Sequence, residues 1–214
     1  MLGVLIRAAV LPGLRRAVAP AGVPAAARAQ THPPDAVESV ASFAEAAAAP
    51  CDWLWLLEDD AVPAPDALAE LLAAAERLGD DPAPVLLTGL VTGSEPWPRW
   101  GDKAVEVRAA ERGLVAVRAA RAGSLLLRRD ALARQGLLGA RLRAAGDDLA
   151  LTGRLLAREA GYLVPRSTAR RTAPAAAPSE LGARLKMLAA PSWTPPERLW
   201  IAFDTVRHTR ENAA

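Results

Sequence analysis

Cysteine, histidine and lysine are scarce in this 214-residue chain: Cys51 is the only thiol, His32 and His208 the only imidazoles, Lys103 and Lys186 the only lysines. A single thiol excludes a disulfide framework, and with two imidazoles it excludes a zinc site of Cys/His type. No apolar run reaches the ~18 residues that a membrane span needs. The phosphate-cradling G-x-x-x-x-G-K-[ST] and G-x-G-x-x-G patterns are missing, as is the G-x-S-x-G of serine hydrolases. A net charge of +2 supplies no strong field for nucleic acid, and none is expected as a partner. Arginine makes up 24 of the 26 basic residues. In so alanine-rich a chain this reads as coding bias, and arginine content alone carries no functional argument.

What is present suffices for one domain, with 51% hydrophobic and 23% charged residues over a length that supports a single core. The charge is unevenly spread. Residues 1–34 hold Arg7, Arg15, Arg16 and Arg28 and no acid, and residues 164–214 hold eight basic and four acidic side chains. Each end is therefore +4, which leaves −6 for the middle. A basic, acid-free start matches a transit peptide, but Pro12, Pro20 and Pro24 interrupt any long amphipathic helix. The expectation is a soluble, cytoplasmic protein whose acidic middle offers carboxylates to a cation.

Apolar stretches at residues 4–6, 53–57, 85–87, 114–117, 123–127 and 162–164, and the alternating Val105 to Val107, predict strands. The run at 53–57, W-L-W-L-L, is continuously apolar and suits a strand buried on both faces of a mainly parallel sheet. Helices are expected from about residue 14, over 38–49, and after Asp66, where Leu68, Leu71, Leu72 and Leu78 recur at helical spacing. A short helix is expected at Asp130, and a longer one from Gly146 to about residue 160, closed by Gly161. Residues 93–102, rich in Pro, Gly and Trp, read as a loop. Beyond Pro165 the chain reads as a basic, Pro/Ala-rich linker, followed by helical pieces at 181–188 and 195–206. Alternating strands and helices argue an α/β domain over residues 1–166, with 167–214 as a helical tail.

Two clusters carry chemistry. Glu58-Asp59-Asp60 directly follows the buried strand. Three adjacent carboxylates repel one another, and a hard Mn²⁺ or Mg²⁺ ion relieves that repulsion while bridging to phosphate oxygens. The alternative is a solvated turn favoured by the dipole of the helix that follows. Asp147-Asp148 opens the late helix, where free backbone N–H groups stabilise a carboxylate. One reading is a capping pair, and the other is a general base with an orienting neighbour.

Taken together, W-L-W-L-L-E-D-D-A-V-P-A-P-D-A-L, A-G-S-L-L-L-R-R-D-A-L and G-D-D-L-A-L-T-G-R-L-L-A-R-E-A-G-Y resemble family 2 glycosyltransferases of the GT-A fold. Upstream, A-Q-T-H-P-P-D-A-V looks like the segment leading into that family's second strand. The resemblance covers roughly residues 25–166. It implies an inverting, metal-dependent transfer of a sugar from a nucleoside diphosphate donor to a hydroxyl acceptor. Glu58 and Asp60 would serve the metal, Glu58 and Asp59 would face the nucleotide, and Asp148 would be the base with Asp147 beside it. Gly123 would let substrate approach the backbone, and Trp97 and Trp100 would offer an apolar face to a sugar or base. For both tryptophans the alternative is packing back on the core.

The chain also departs from the family. Only 23 residues separate Asp35 from Glu58, where relatives have about 60 (as the resemblance implies), and no D-x-G-S or N-x-G follows. The triplet starts with Glu, Ala150 stands where many relatives carry a second acid, and residues 167–172 lack a metal-binding His. These gaps point to a second expectation, a non-catalytic GT-A-like module that binds a ligand or partner. A partner chain or second copy could complete the shortened nucleotide half. Trp193, Trp200 and Phe203 among Arg184, Lys186 and Arg198 suit either a peripheral membrane contact or core packing.

Overall fold

The computed structural model describes residues 4–5, 8–9, 39–40, 52–57, 61–79, 83–92, 96–99, 102–138, 140, 146–171 and 178–211. In chain order the elements are β1 (Val4–Leu5), β2 (Ala8–Ala9), β3 (Ser39–Val40), β4 (Trp53–Leu57), β5 (Ala61–Pro63), α1 (Ala67–Leu78), β6 (Pro84–Val91) and β7 (Trp97–Pro98). They continue with α2 (Lys103–Glu111), β8 (Val115–Ala119), β9 (Ser124–Arg128), α3 (Arg129–Arg134), α4 (Asp147–Leu155), β10 (Ala160–Arg171), α5 (Pro178–Ala189) and α6 (Pro195–Glu211).

The main sheet runs β1-β4-β9-β6-β10-β8-β7, with β5 added to β10, and β2 pairs β3 separately. The fold is α/β, as the alternation implied, but the sheet is mixed rather than mainly parallel. β1 is parallel to β4 and β6 to β10, whereas β9 is antiparallel to both β4 and β6, and β8 to both β10 and β7. The reason is that burial on both faces produces the same continuous apolar run whichever way the neighbours point. Strand composition reports burial and carries little about direction.

Period-two alternation sorts the core onto the two faces of the sheet. Leu54 and Leu56 of β4 pack with Leu86, Leu125 and Leu127, and with Leu132 of α3 and Leu151 and Leu155 of α4. Trp53 and Trp55 pack on the opposite face with Leu68, Leu71 and Leu72 of α1. A third cluster joins Trp97 and Leu149 to Ala183, Met187, Trp193 and Ile201 of the C-terminal helices and their connection. These helices are thus packed against α4 and β7.

Several local expectations changed. Val105 and Val107 lie in α2 rather than a strand, because Asp102 caps that helix through its side chain (Val105 N–H to Oδ1, 3.2 Å) and Lys103 pairs with Glu106 at 2.7 Å. Asp66 occupies the N-cap position of α1 but makes no side-chain cap bond. Helix α4 ends at Leu155, and Gly161 lies inside β10. That strand is far longer than residues 162–164, since β6, β8 and β5 all pair with it. A register shift between Val164 and Thr168 takes Pro165 out of the ladder. The boundary expected at residue 166 therefore falls within a strand. Of the helix expected over 38–49, Ser39–Val40 form β3; the remainder, like the helix expected from residue 14, lies outside the described residues.

Candidate functional site

Two of the residues assigned from sequence, Gly123 and Asp148, lie beside the junction where β4 ends and β9 begins. β4 ends at Leu57, which pairs with Ser124, the first residue of β9. Beneath this pair, Trp55 Nε1 donates to Ser124 Oγ (3.2 Å), and Thr88 Oγ1 stands 3.1 Å from the Ser124 carbonyl. Ala61 opens β5 and pairs with Arg171 at the end of β10. Glu58, Asp59 and Asp60 are the three residues between Leu57 and Ala61, and they lie outside the described residues, as does Trp100.

Asp148 belongs to this junction. It stands in the first turn of α4 and is 8% exposed. Oδ2 accepts the Ala122 N–H at 3.0 Å, two residues before Ser124, and Oδ1 accepts its neighbour Leu149 N–H at 2.8 Å. One lone pair on each oxygen is left for another donor. One turn later Thr152 Oγ1 accepts the Ala120 N–H (3.0 Å) and lies 2.9 Å from the Ala120 carbonyl and 2.8 Å from that of Asp148. Asp148 and Thr152 together fasten α4 to the segment leading into β9. Thr152 was missed in the sequence; its signal is the i,i+4 spacing from Asp148, which puts both side chains on one helix face.

Asp147 turns away from that segment. Its Oδ1 accepts Lys186 Nζ of α5 at 2.7 Å, an ion pair exposed enough to be worth ~0–1 kcal/mol. Gly146, at φ +86°, has the left-handed backbone that favours glycine, and a Cβ there would meet Ala183 Cα at 2.5 Å. Helix α5 therefore seats directly on the start of α4.

Two further residues have structural explanations. A Cβ on Gly123 would stand 3.0 Å from Val91 Cγ2, so this glycine permits the close passage of β9's lead-in over β6. Trp97 is 9% exposed and meets Trp193 and Trp200 edge-on, with ring centroids 6.5 and 5.2 Å away, while the Arg184 guanidinium lies 5.4 Å from its ring. This is the packing alternative, and it leaves no open face for a sugar.

Nothing in the local pattern around Arg118 marks it as important. This 6% exposed side chain on β8 pairs with Glu197 (Nε to Oε1, 2.7 Å), donates to the carbonyls of Gly153 and Ser192, and stacks 4.4 Å from the Trp193 ring centre. Burial pushes the Glu197 carboxyl up, but the Thr194 N–H, the Arg118 guanidinium and the Thr194 hydroxyl outweigh it and hold it below the usual range. Arg118 is thus the bolt holding α6 to β8 and α4.

Among the described residues no three His, Cys, Asp or Glu side chains converge as a metal-binding group. The cation reading rests on the triplet's donor chemistry, three hard oxygen ligands at the carboxyl end of a buried strand, which suits Mg²⁺ or Mn²⁺. Compared with models of known protein families and with curated proteins, the chain matches none.

Proposed function

We propose that the chain is an inverting glycosyltransferase of the GT-A type, transferring a sugar from a nucleoside diphosphate to a hydroxyl acceptor. One observation carries this reading. The Asp148–Ala122 hydrogen bond and the Ser124–Leu57 pair tie the late Asp-Asp helix start to the strand end that leads into the acidic triplet. The late helix start is thereby held beside the strand end from which the chain continues into the triplet. A divalent ion held by Glu58 and Asp60 would offset the charge that builds on the diphosphate.

In the proposed reaction Asp148 accepts the acceptor hydroxyl's proton as that oxygen bonds to the anomeric carbon. The bond from that carbon to the diphosphate oxygen breaks in the same displacement, and the diphosphate leaves with its electron pair. The two backbone N–H groups fix the orientation of the Asp148 carboxylate without consuming all its lone pairs.

A second reading is a non-catalytic GT-A-like module. It is favoured by the seating of α5 on Gly146 and by the Lys186–Asp147 pair, which cover part of the α4 start. Thermal melts with UDP, GDP, dTDP and CDP, each with and without Mn²⁺, separate the two. A ligand at a hundredfold excess over its Kd adds about 2.7 kcal/mol to native-state stability. The transferase should gain that shift with one nucleotide plus Mn²⁺ and lose it in Asp60→Ala. No shift with any pair would remove the transferase reading for the isolated chain.

A further inference from the structure

One strip at the carboxyl ends of β6 and β10 lies open to solvent. In β6, Leu86 shares a face with Thr88 and Leu90 by alternation, and Leu86 packs on the α4 side of the sheet. Leu86 is fully buried, yet Leu90, four residues nearer the carboxyl end, is 39% exposed. Its partner across the ladder is Thr168, also exposed, and two residues on comes exposed Arg170, whose partner on β5 is Val62, 38% exposed. Between and beside these, Ser167 and Ala169 are buried, so the 168–170 stretch alternates cleanly and Thr168 and Arg170 face the same way. The result is a floor of two apolar side chains, one hydroxyl and one guanidinium.

Arg170 also stands out electrostatically. Arg166, four residues earlier, is drawn to Glu70 (3.4 Å), whereas the Arg170 side chain makes no ion pair or hydrogen bond among the described residues. Its strand partner Val62 is two residues after Asp60 in the chain, so this cation stands beside the segment that follows the acidic triplet. Carboxyl ends of parallel strands such as β6 and β10 are where open α/β sheets hold ligands. A planar guanidinium with free donors is suited to forked contact with phosphoryl oxygens.

We infer that this strip binds the diphosphate of the donor, with Arg170 on the phosphoryl oxygens, Thr168 as a further donor, and Leu90 and Val62 as apolar contacts. The inference rests on the transferase reading above.

The test is isothermal titration of the full chain, wild type, Arg170→Ala and Arg170→Lys, with the four nucleoside diphosphates, their nucleosides and inorganic pyrophosphate, all in Mn²⁺. The expected result is one diphosphate whose affinity falls about tenfold or more in Arg170→Ala, partial recovery in Arg170→Lys, and nucleoside binding unchanged. Because the Arg170 side chain is exposed and has no ion pair among the described residues, the ligand-free melting temperature should match wild type in both variants. An unchanged diphosphate affinity in Arg170→Ala overturns this assignment and leaves the transferase reading standing. Arg170-dependent binding of pyrophosphate with no nucleotide bound supports the strip as a phosphoryl site and overturns the nucleotide reading. No binding of any probe to wild type overturns both.

Discussion

Asp148→Asn separates a catalytic carboxylate from a merely structural one, because the two roles predict different sizes of effect. In wild type, Oδ1 and Oδ2 each accept one backbone N–H, from Leu149 and Ala122. Asparagine has one carbonyl oxygen and one NH₂, so either rotamer turns a donor toward one of those N–H groups. The residue is only 8% exposed, and water has little access to repair the loss. A buried donor left unsatisfied costs about 1–3 kcal/mol. For a chain of this size that lowers the melting temperature by roughly 2–12 °C. Removing a general base costs about 10²–10⁴ in turnover. Assayed at 20 °C below the variant's own midpoint, nucleoside diphosphate release should therefore fall by at least a hundredfold while nucleotide binding persists. Turnover within a few-fold of wild type in the folded variant would refute the base assignment. A melting temperature within 1 °C of wild type would refute the hydrogen-bond reasoning, whatever happens to turnover.

Other substitutions test how the C-terminal helices are held. Gly146→Ala imposes a left-handed backbone on an L-residue, at about 1–2 kcal/mol, and drives its Cβ into Ala183; urea melts should show a loss of about 2–4 kcal/mol. Gly182→Ala in α5 is the control, since its Cβ meets nothing within 4 Å and should stabilise by roughly 0.5–1 kcal/mol. Arg118→Met should cost about 2–4 kcal/mol, less than a fully buried orphan charge because Glu197 keeps 29% side-chain exposure. A double-mutant cycle with Glu197→Gln should give a coupling of about 1–2 kcal/mol, and zero coupling would show that the ion pair is incidental. Glu197 titrates below its ordinary value of 4.5 when folded, so its contribution is present above that value and is lost as pH falls through the folded-state value. Wild type should accordingly lose stability more steeply than Glu197→Gln below pH 4.5, and parallel acid limbs would count against the anchor.

The sequence alone determined the elements whose cause is local. Leu68, Leu71, Leu72 and Leu78 fixed α1, the apolar run fixed β4 as a strand buried on both sides, and Asp130 and Asp147 marked helix starts. Both carboxylate clusters were visible because each is a short run of unusual composition beside a clear strand or helix. Local pattern failed where two local signals competed, as at Val105 and Val107, where alternation suggested a strand and Asp102 capped a helix.

The rest depended on contacts between segments far apart in the chain. Strand direction, and so the mixed sheet, depends on partners far along the chain, and nothing in W-L-W-L-L says that β9 will lie antiparallel beside it. The length of β10 was hidden because Pro165 and the arginines after it look irregular until β5, β6 and β8 supply hydrogen bonds. Burial of Trp97 and Arg118 came from α5 and α6 folding back, a packing choice that no residue near either of them encodes. What Asp148 can do depends on Ala122, 26 residues earlier, because a carboxylate's chemistry is set by the donors around it and those are assembled only by the fold.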